Sequence, residues 1–161
     1  MPATVQNSFS NEYYNLFVIG GEIFTQFTQG HFIVPKERAL TESVSPDIVN
    51  LVNSLSHEAI ATIKTFPALF ADENCMYGRA DSSQYAAYGF VTDVVKQDNG
   101  IKMYYQTLNA IPQQKLNEMA FNLAIAGTSA FNELNRTHWT IKKINLVEEL
   151  RYAGISVLSF T

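Results

Sequence analysis

The run NEYYNLFVIGGEIFTQFTQ, residues 11–29, decides the fold, because it reads either as one helix or as a hairpin. Wound as an α-helix, it places Tyr13, Leu16, Phe17, Gly20, Ile23, Phe24 and Phe27 on one face and Asn11, Asn15, Glu22, Gln26 and Gln29 on the other. That is the 3.6-residue period of an amphipathic helix. Extended, the same run makes Gly20 and Gly21 the turn between two β-prone segments. Because both faces match the helical period, a helix is expected, with Ser10 as its N-cap and Gly30 as its stop. Two interior glycines cost such a helix about 1 kcal/mol each against alanine, so close approach of another backbone at Gly20 and Gly21 is the expected reason for them.

Downstream, residues 31–34 form a short extended piece ending at Pro35, and residues 36–44 a charged loop. A second helix is predicted over residues 46–65, opened by Ser45 as N-cap and Pro46 at the first helical position, where a missing N–H does no harm. Its stripe is Ile48, Leu51, Val52, Leu55, Ala59, Ile60 and Ile63, and Pro67 ends it by disfavouring helical geometry at Phe66. Residues 68–71 are a short apolar run and residues 72–84 read as a polar loop. Residues 85–108 then alternate as a hairpin broken at Asp98, Asn99 and Gly100, which tolerate the positive φ of hairpin turns. Pro112 starts a helix through Ala126, closed by Gly127. Residues 137–144 alternate again as a strand. Asn145 with Glu148 forms a capping box for a short helix to Ala153, terminated by Gly154, and residues 155–160 return as a last strand.

The fold class that follows is α+β: two N-terminal helices packed on an antiparallel sheet of four to five strands, able to curl into a small, partly open barrel, with two further helices. One domain is expected over residues 1–161, with a helical half at about residues 10–66 and a sheet-containing half at about residues 67–161.

Composition narrows the function. The 161 residues are 47% hydrophobic and 16% charged, with 11 Phe and 8 Tyr, as in a globular protein rather than a disordered one. A net charge of −4 argues against duplex DNA, whose phosphates must be neutralised by clustered Lys and Arg. Cys75 is the only cysteine, which excludes an internal disulfide and a multi-cysteine zinc site and points to a reducing cytoplasm. No signal peptide and no run of about 18 apolar residues appears, so neither export nor a membrane span is expected.

Catalytic chemistry finds no motif. His31, His57 and His138 are widely separated and make no metal-ligand spacing, so no metal and no cofactor is expected. Cys75 has no adjacent base, His57 and Glu58 read as an exposed polar pair, and Asp72, Glu73, Asp81 and Asp93 read as solvated loop acids. The densest polar cluster is residues 132–143, where Arg136, His138 and Trp139 are candidate ligand-binding residues; the plainer alternative puts Trp139 in the core with Arg136 and His138 at its rim. A second cluster lies on the hairpin: Tyr85, Tyr88, Phe90, Tyr104 and Tyr105 with Lys96 and Lys102 suit stacking of unpaired bases, although cross-strand tyrosines also stabilise sheets by packing.

The expected function is therefore a binding or regulatory module without catalysis, acting through a protein partner or as a homodimer. Its interface would be the apolar stripe of Tyr13, Phe17, Gly20, Gly21, Phe24 and Phe27. The alternative is a small barrel that binds single-stranded nucleic acid or a nucleotide through Tyr104 and Lys102. A weaker one is a hydrolase built on His138 and a nearby carboxylate.

Overall fold

A computed structural model describes residues 11–41, 44, 46–128 and 130–157, without the side chain of Leu51. The chain runs β1 (Tyr14–Val18), β2 (Gln29–Val34), α1 (Pro46–Val52), α2 (His57–Lys64), β3 (Pro67–Ala71), β4 (Tyr85–Gln97), β5 (Gly100–Pro112), α3 (Gln113–Glu118), β6 (His138–Lys142) and α4 (Leu146–Tyr152). The six strands make one mixed sheet in the order β2-β5-β4-β3-β1-β6, curled into a half-barrel. Among the named strands of the described residues only β1 and β3 pair in parallel, and α1 and α2 lie in the connection between them, which a parallel pair requires because a tight hairpin cannot join it.

The expected pair of N-terminal helices on a four- or five-stranded antiparallel sheet is overturned. Residues 11–29 hold no helix: β1 runs deep in the sheet between β3 and β6, and Gly20 and Gly21 turn the chain out of it. Burial of the strand on both faces explains the misreading. Phe17 and Ile19 enter a core roofed by α1 and α2, while Tyr14, Leu16 and Val18 enter a second core on the opposite face, under α3 and α4. A strand buried on both sides has no polar face, so its period of two vanishes from the sequence and a continuous apolar run remains. The glycines also act differently from expectation. Gly21 sits at φ 85 with open space around it, while a Cβ on Gly20 would lie 2.9 Å from Cδ of Glu73.

The helix expected over residues 46–65 breaks in two. Leu55 adopts φ 54, and Ser56 becomes a fresh N-cap whose Oγ accepts from the Ala59 N–H at 3.1 Å. Pro112 likewise closes β5 rather than opening a long helix, and α3 ends at Glu118, well short of Ala126. Ser10, Ser45 and residues 158–160 of the expected last strand lie outside the described residues, and residues 155–157 are not in a strand.

The β4–β5 hairpin turns through Asp98 and Asn99 and reaches Pro112. Two register shifts, between Tyr88 and Gly89 and between Val91 and Asp93, change which residues face the core. Val91 pairs with Tyr105 and Val94 with Met103, all four in the first core, while Phe90 pairs with Gln106 on the other face. Gly89 is required by the first shift: a Cβ there would lie 2.1 Å from the backbone oxygen of Gln106. Gly89→Ala is expected to destabilise the protein by about 1–3 kcal/mol, near the top of that range because backbone cannot yield as a side chain can; urea unfolding measures it.

Candidate functional site

Where β1 and β3 end, β4 and β6 begin and β5 passes into α3, so five strands contribute to one rim of the sheet. The segment between β3 and β4, residues 72–84, lies across this rim and is held by side-chain amides. The Gln113 amide satisfies both backbone groups of Asp72: its Nε2 donates to the Asp72 carbonyl at 2.7 Å and its Oε1 accepts from the Asp72 N–H at 3.1 Å. Asn74 and Asn117 exchange bonds of 3.0 Å in both directions. Asn132 donates to Asn117 Oδ1 at 2.8 Å, and Asn135 Oδ1 accepts from the Gly78 N–H at 3.0 Å. Gln84 and Gln114 accept from the N–H groups of Cys75 and Ala80. Gln113, Asn74 and Asn132 are buried, and a buried amide left unsatisfied costs about 1–3 kcal/mol, so each bond restrains the loop.

Two antiparallel backbone bonds between Met76 and Arg79 close the loop tip into a turn, with Gly78 at φ 67. That turn thrusts Tyr77 outward at 77% exposure, 6.4 Å from the ring of Phe131, and the Arg136 guanidinium lies 5.3 Å from the Phe131 ring centre. Beside Tyr77 opens a groove of about 820 Å³, walled by Arg79, Gln114, Asn117, Glu118, Phe121 and residues 124–128. Phe121 stands at its lip at 93% exposure. Arg79 and Glu118 both face the groove and form no ion pair with each other or with another described residue.

No family model and no curated protein matches this chain.

Behind the groove wall lies a buried ionic cluster. Glu133 Oε2 accepts from Lys142 Nζ at 2.8 Å and from the Ala126 N–H, and Glu133 Oε1 faces His138 Nε2 at 3.3 Å. The second ring nitrogen of His138 lies 2.9 Å from the Arg136 carbonyl. All three side chains are at most 2% exposed. Burial pushes the Glu133 carboxyl up, but hydrogen bonds from His138, Lys142 and Ala126, with the charge of Lys142, outweigh it and hold the group below its ordinary range. Nearby, Tyr14 donates its hydroxyl to the Leu123 carbonyl at 2.7 Å; burial, reinforced by Glu133, keeps that phenol well above its ordinary pKa.

The structure separates the residues that sequence reasoning grouped together. Arg136 is partly exposed beside the Phe131 ring, whereas His138 and Trp139, expected to bind ligand with it, are fully buried on opposite faces of β6. With both ring nitrogens engaged inside the core, His138 offers a substrate no route to it. Trp139 stacks on Phe17 at 5.9 Å and donates to Asn15 Oδ1 at 3.1 Å. Of the expected interface stripe, Phe17 and Phe24 lie in the protein's own core, Tyr13 packs on Phe66 at 5.3 Å, and Phe27, Gly20 and Gly21 are exposed. Tyr104 and Lys102 sit together on the outer face of β5, far in the sheet order from β6, with Lys102 Nζ 5.0 Å from the Tyr104 ring centre. The other hairpin rings divide: Tyr88 and Tyr105 are buried in opposite cores, and burial pushes the Tyr88 phenol up to about 12.

Sequence reasoning missed the amide crown and the groove. The available signal was the density of Asn and Gln through residues 74–84 and 113–135, where side chains that can both donate and accept recur among few charges. Among the described residues no group of three or more His, Cys, Asp or Glu could hold a metal ion, and no helix is long and apolar enough to cross a membrane.

Proposed function

We propose that this chain is a binding module that pairs with a second copy of itself through the groove and the Tyr77 turn. The observation that carries the reading is the rigid presentation of Tyr77 immediately beside the groove. Exposed aromatics are the side chains from which hot spots are made, and a loop already immobilised by amide bonds loses little further entropy on docking. A projection next to a cavity can be self-complementary under a two-fold rotation, because each copy's projection can enter the other's cavity. Charge agrees with this. Arg79 and Glu118, without an ion pair among the described residues, can pair reciprocally between two copies. The exposed free thiol of Cys75 near the same turn suits a reducing compartment, and we place the protein in the cytoplasm.

Sedimentation equilibrium tests this. The wild-type mass is expected to rise with concentration from 18.1 kDa toward twice that value. Tyr77→Ala weakens pairing by about 2 kcal/mol per copy, hence twice per dimer. Arg79→Glu and Glu118→Arg each weaken it, and the double exchange restores it, an outcome general surface disruption would not give. A wild-type protein that stays monomeric throughout sinks the proposal.

A further inference from the structure

We propose that the outer face of β2 and β5 is a second binding site, for an adenine base carrying one phosphate. The curled sheet covers both faces at β1 and β3, but its β2-β5 end leaves one face open. There Gln29, His31 and Ile33 of β2 stand opposite Gln106, Tyr104 and Lys102 of β5. A cavity of about 350 Å³ opens over this array, bordered by His31, Tyr104 and Thr92. Its size suits a nucleotide rather than a protein segment.

The base and the phosphate of such a ligand each meet suitable chemistry. The rings of His31 and Tyr104 touch each other 5.6 Å apart at 49° on the border of the cavity, and a base can stack on the side they turn toward it. Lys102, 5.0 Å from the centre of the Tyr104 ring, puts a cation beside any stacked base, where its phosphate would lie. Gln29 donates one N–H to Gln106 Oε1 at 2.8 Å, and its carbonyl oxygen and second N–H have no partner among the described residues. An amide with one free donor and one free acceptor is the group that reads the paired donor and acceptor on the edge of adenine. Gln106 cannot share that role, because its nitrogen is committed to the carbonyls of Thr107 and Thr28. Asp93, the register partner of Tyr104 on β4, is exposed beside the cavity without lining it, and its negative charge disfavours a run of further phosphates there.

This site lies on β2 and β5, away from the Tyr77 turn, and stands or falls separately from self-pairing. The test is calorimetric titration of the full chain with AMP, adenosine, UMP and a short oligoadenylate. Saturable binding of AMP is expected, with UMP and adenosine each weaker by about tenfold. Tyr104→Leu is expected to lower AMP affinity by tenfold or more, while Tyr104→Phe retains it. Lys102→Met removes the preference for AMP over adenosine, and Tyr77→Ala leaves all of these unchanged. The ratio of AMP to oligoadenylate affinity distinguishes a free nucleotide from one unit of a strand. Absence of binding to both, or binding indifferent to Tyr104→Leu and Lys102→Met, overturns the assignment.

Discussion

Replacing Glu133 by alanine is expected to remove about 3–5 kcal/mol of folding stability, a large fraction of the roughly 5–15 kcal/mol typical of a domain this size. The carboxylate takes hydrogen bonds from Lys142, His138 and the Ala126 N–H, and the Lys142 and His138 side chains lie where neither can reach water. Its removal leaves the ammonium of Lys142 buried without an anion. Loss of that anion, rather than loss of packing, dominates the cost, and a double-mutant cycle separates the two. Lys142→Met alone also destabilises, but Glu133→Gln combined with Lys142→Met should cost much less than the sum of the single changes, because neither charge is then stranded. Additive costs in urea unfolding would show that the cluster does not act as a unit.

The same cluster sets a direction of acid sensitivity. Glu133 is held below its ordinary carboxyl value in the folded chain, so the unfolded chain binds its proton first as pH falls. Its contribution is fully present above the unfolded value, declines as pH drops below it, and is gone once pH passes under the depressed folded value. Stability measured from pH 7 downward should therefore fall more steeply in the wild type than in Glu133→Gln. Because Glu133 also ties down Ala126 in the groove wall, the groove should loosen over the same window, visible as faster amide exchange at residues 124–128.

Much of the local structure could be read from residues whose chemistry is local. Asn145 accepts from the Glu148 N–H at 3.1 Å and opens α4, as the capping-box spacing predicts, and Gly154 takes φ 83 beyond its end. The hairpin turn at Asp98 and Asn99 is likewise a matter of four neighbouring residues. What escaped was set by distant ones. β1 and β3 owe their extended form to partners 53 or 124 positions away, through pairs such as Asn15 with Ala68 and Trp139 with Asn15, and no window of sequence contains both members. Leu55, expected inside a helix, instead bends the chain at φ 54 so that α1 and α2 can both lie on the sheet.

The site was less visible than the fold for a related reason. An asparagine in a loop reads as solvated until the loops it joins are known. Asn74, Asn117, Asn132 and Asn135 come from three separate segments and become a rigid frame only when the sheet brings its ends together. Arg136 was visible as part of a dense polar run and does stay partly exposed against Phe131, but its neighbours His138 and Trp139 follow the strand's alternation into two opposite cores. Adjacent residues on a strand face opposite ways, so a polar run there cannot gather at one surface.

Trp139→Ala, the second large effect, is expected to cost about 3–5 kcal/mol and to leave binding in the surviving folded fraction unchanged. The indole is fully buried, stacked against Phe17 at 11° between ring planes. Its N–H donates to Asn15 Oδ1, and the Asn15 Nδ2 donates in turn to the Ile63 carbonyl at 3.2 Å, which links β6 through β1 to the end of α2. Alanine opens a cavity and strands the Asn15 oxygen in the core, so both packing and polar costs apply. Phenylalanine keeps most of the packing and should lose only about 1–2 kcal/mol, chiefly the orphaned acceptor. The Trp139 carbonyl also accepts the Leu40 N–H at 2.7 Å along the outer edge of β6, a bond either variant can retain. Thermal unfolding should therefore rank wild type above Trp139→Phe above Trp139→Ala. A Trp139 variant that kept full stability yet lost binding would instead place this ring in a recognition surface, against its burial beneath α2.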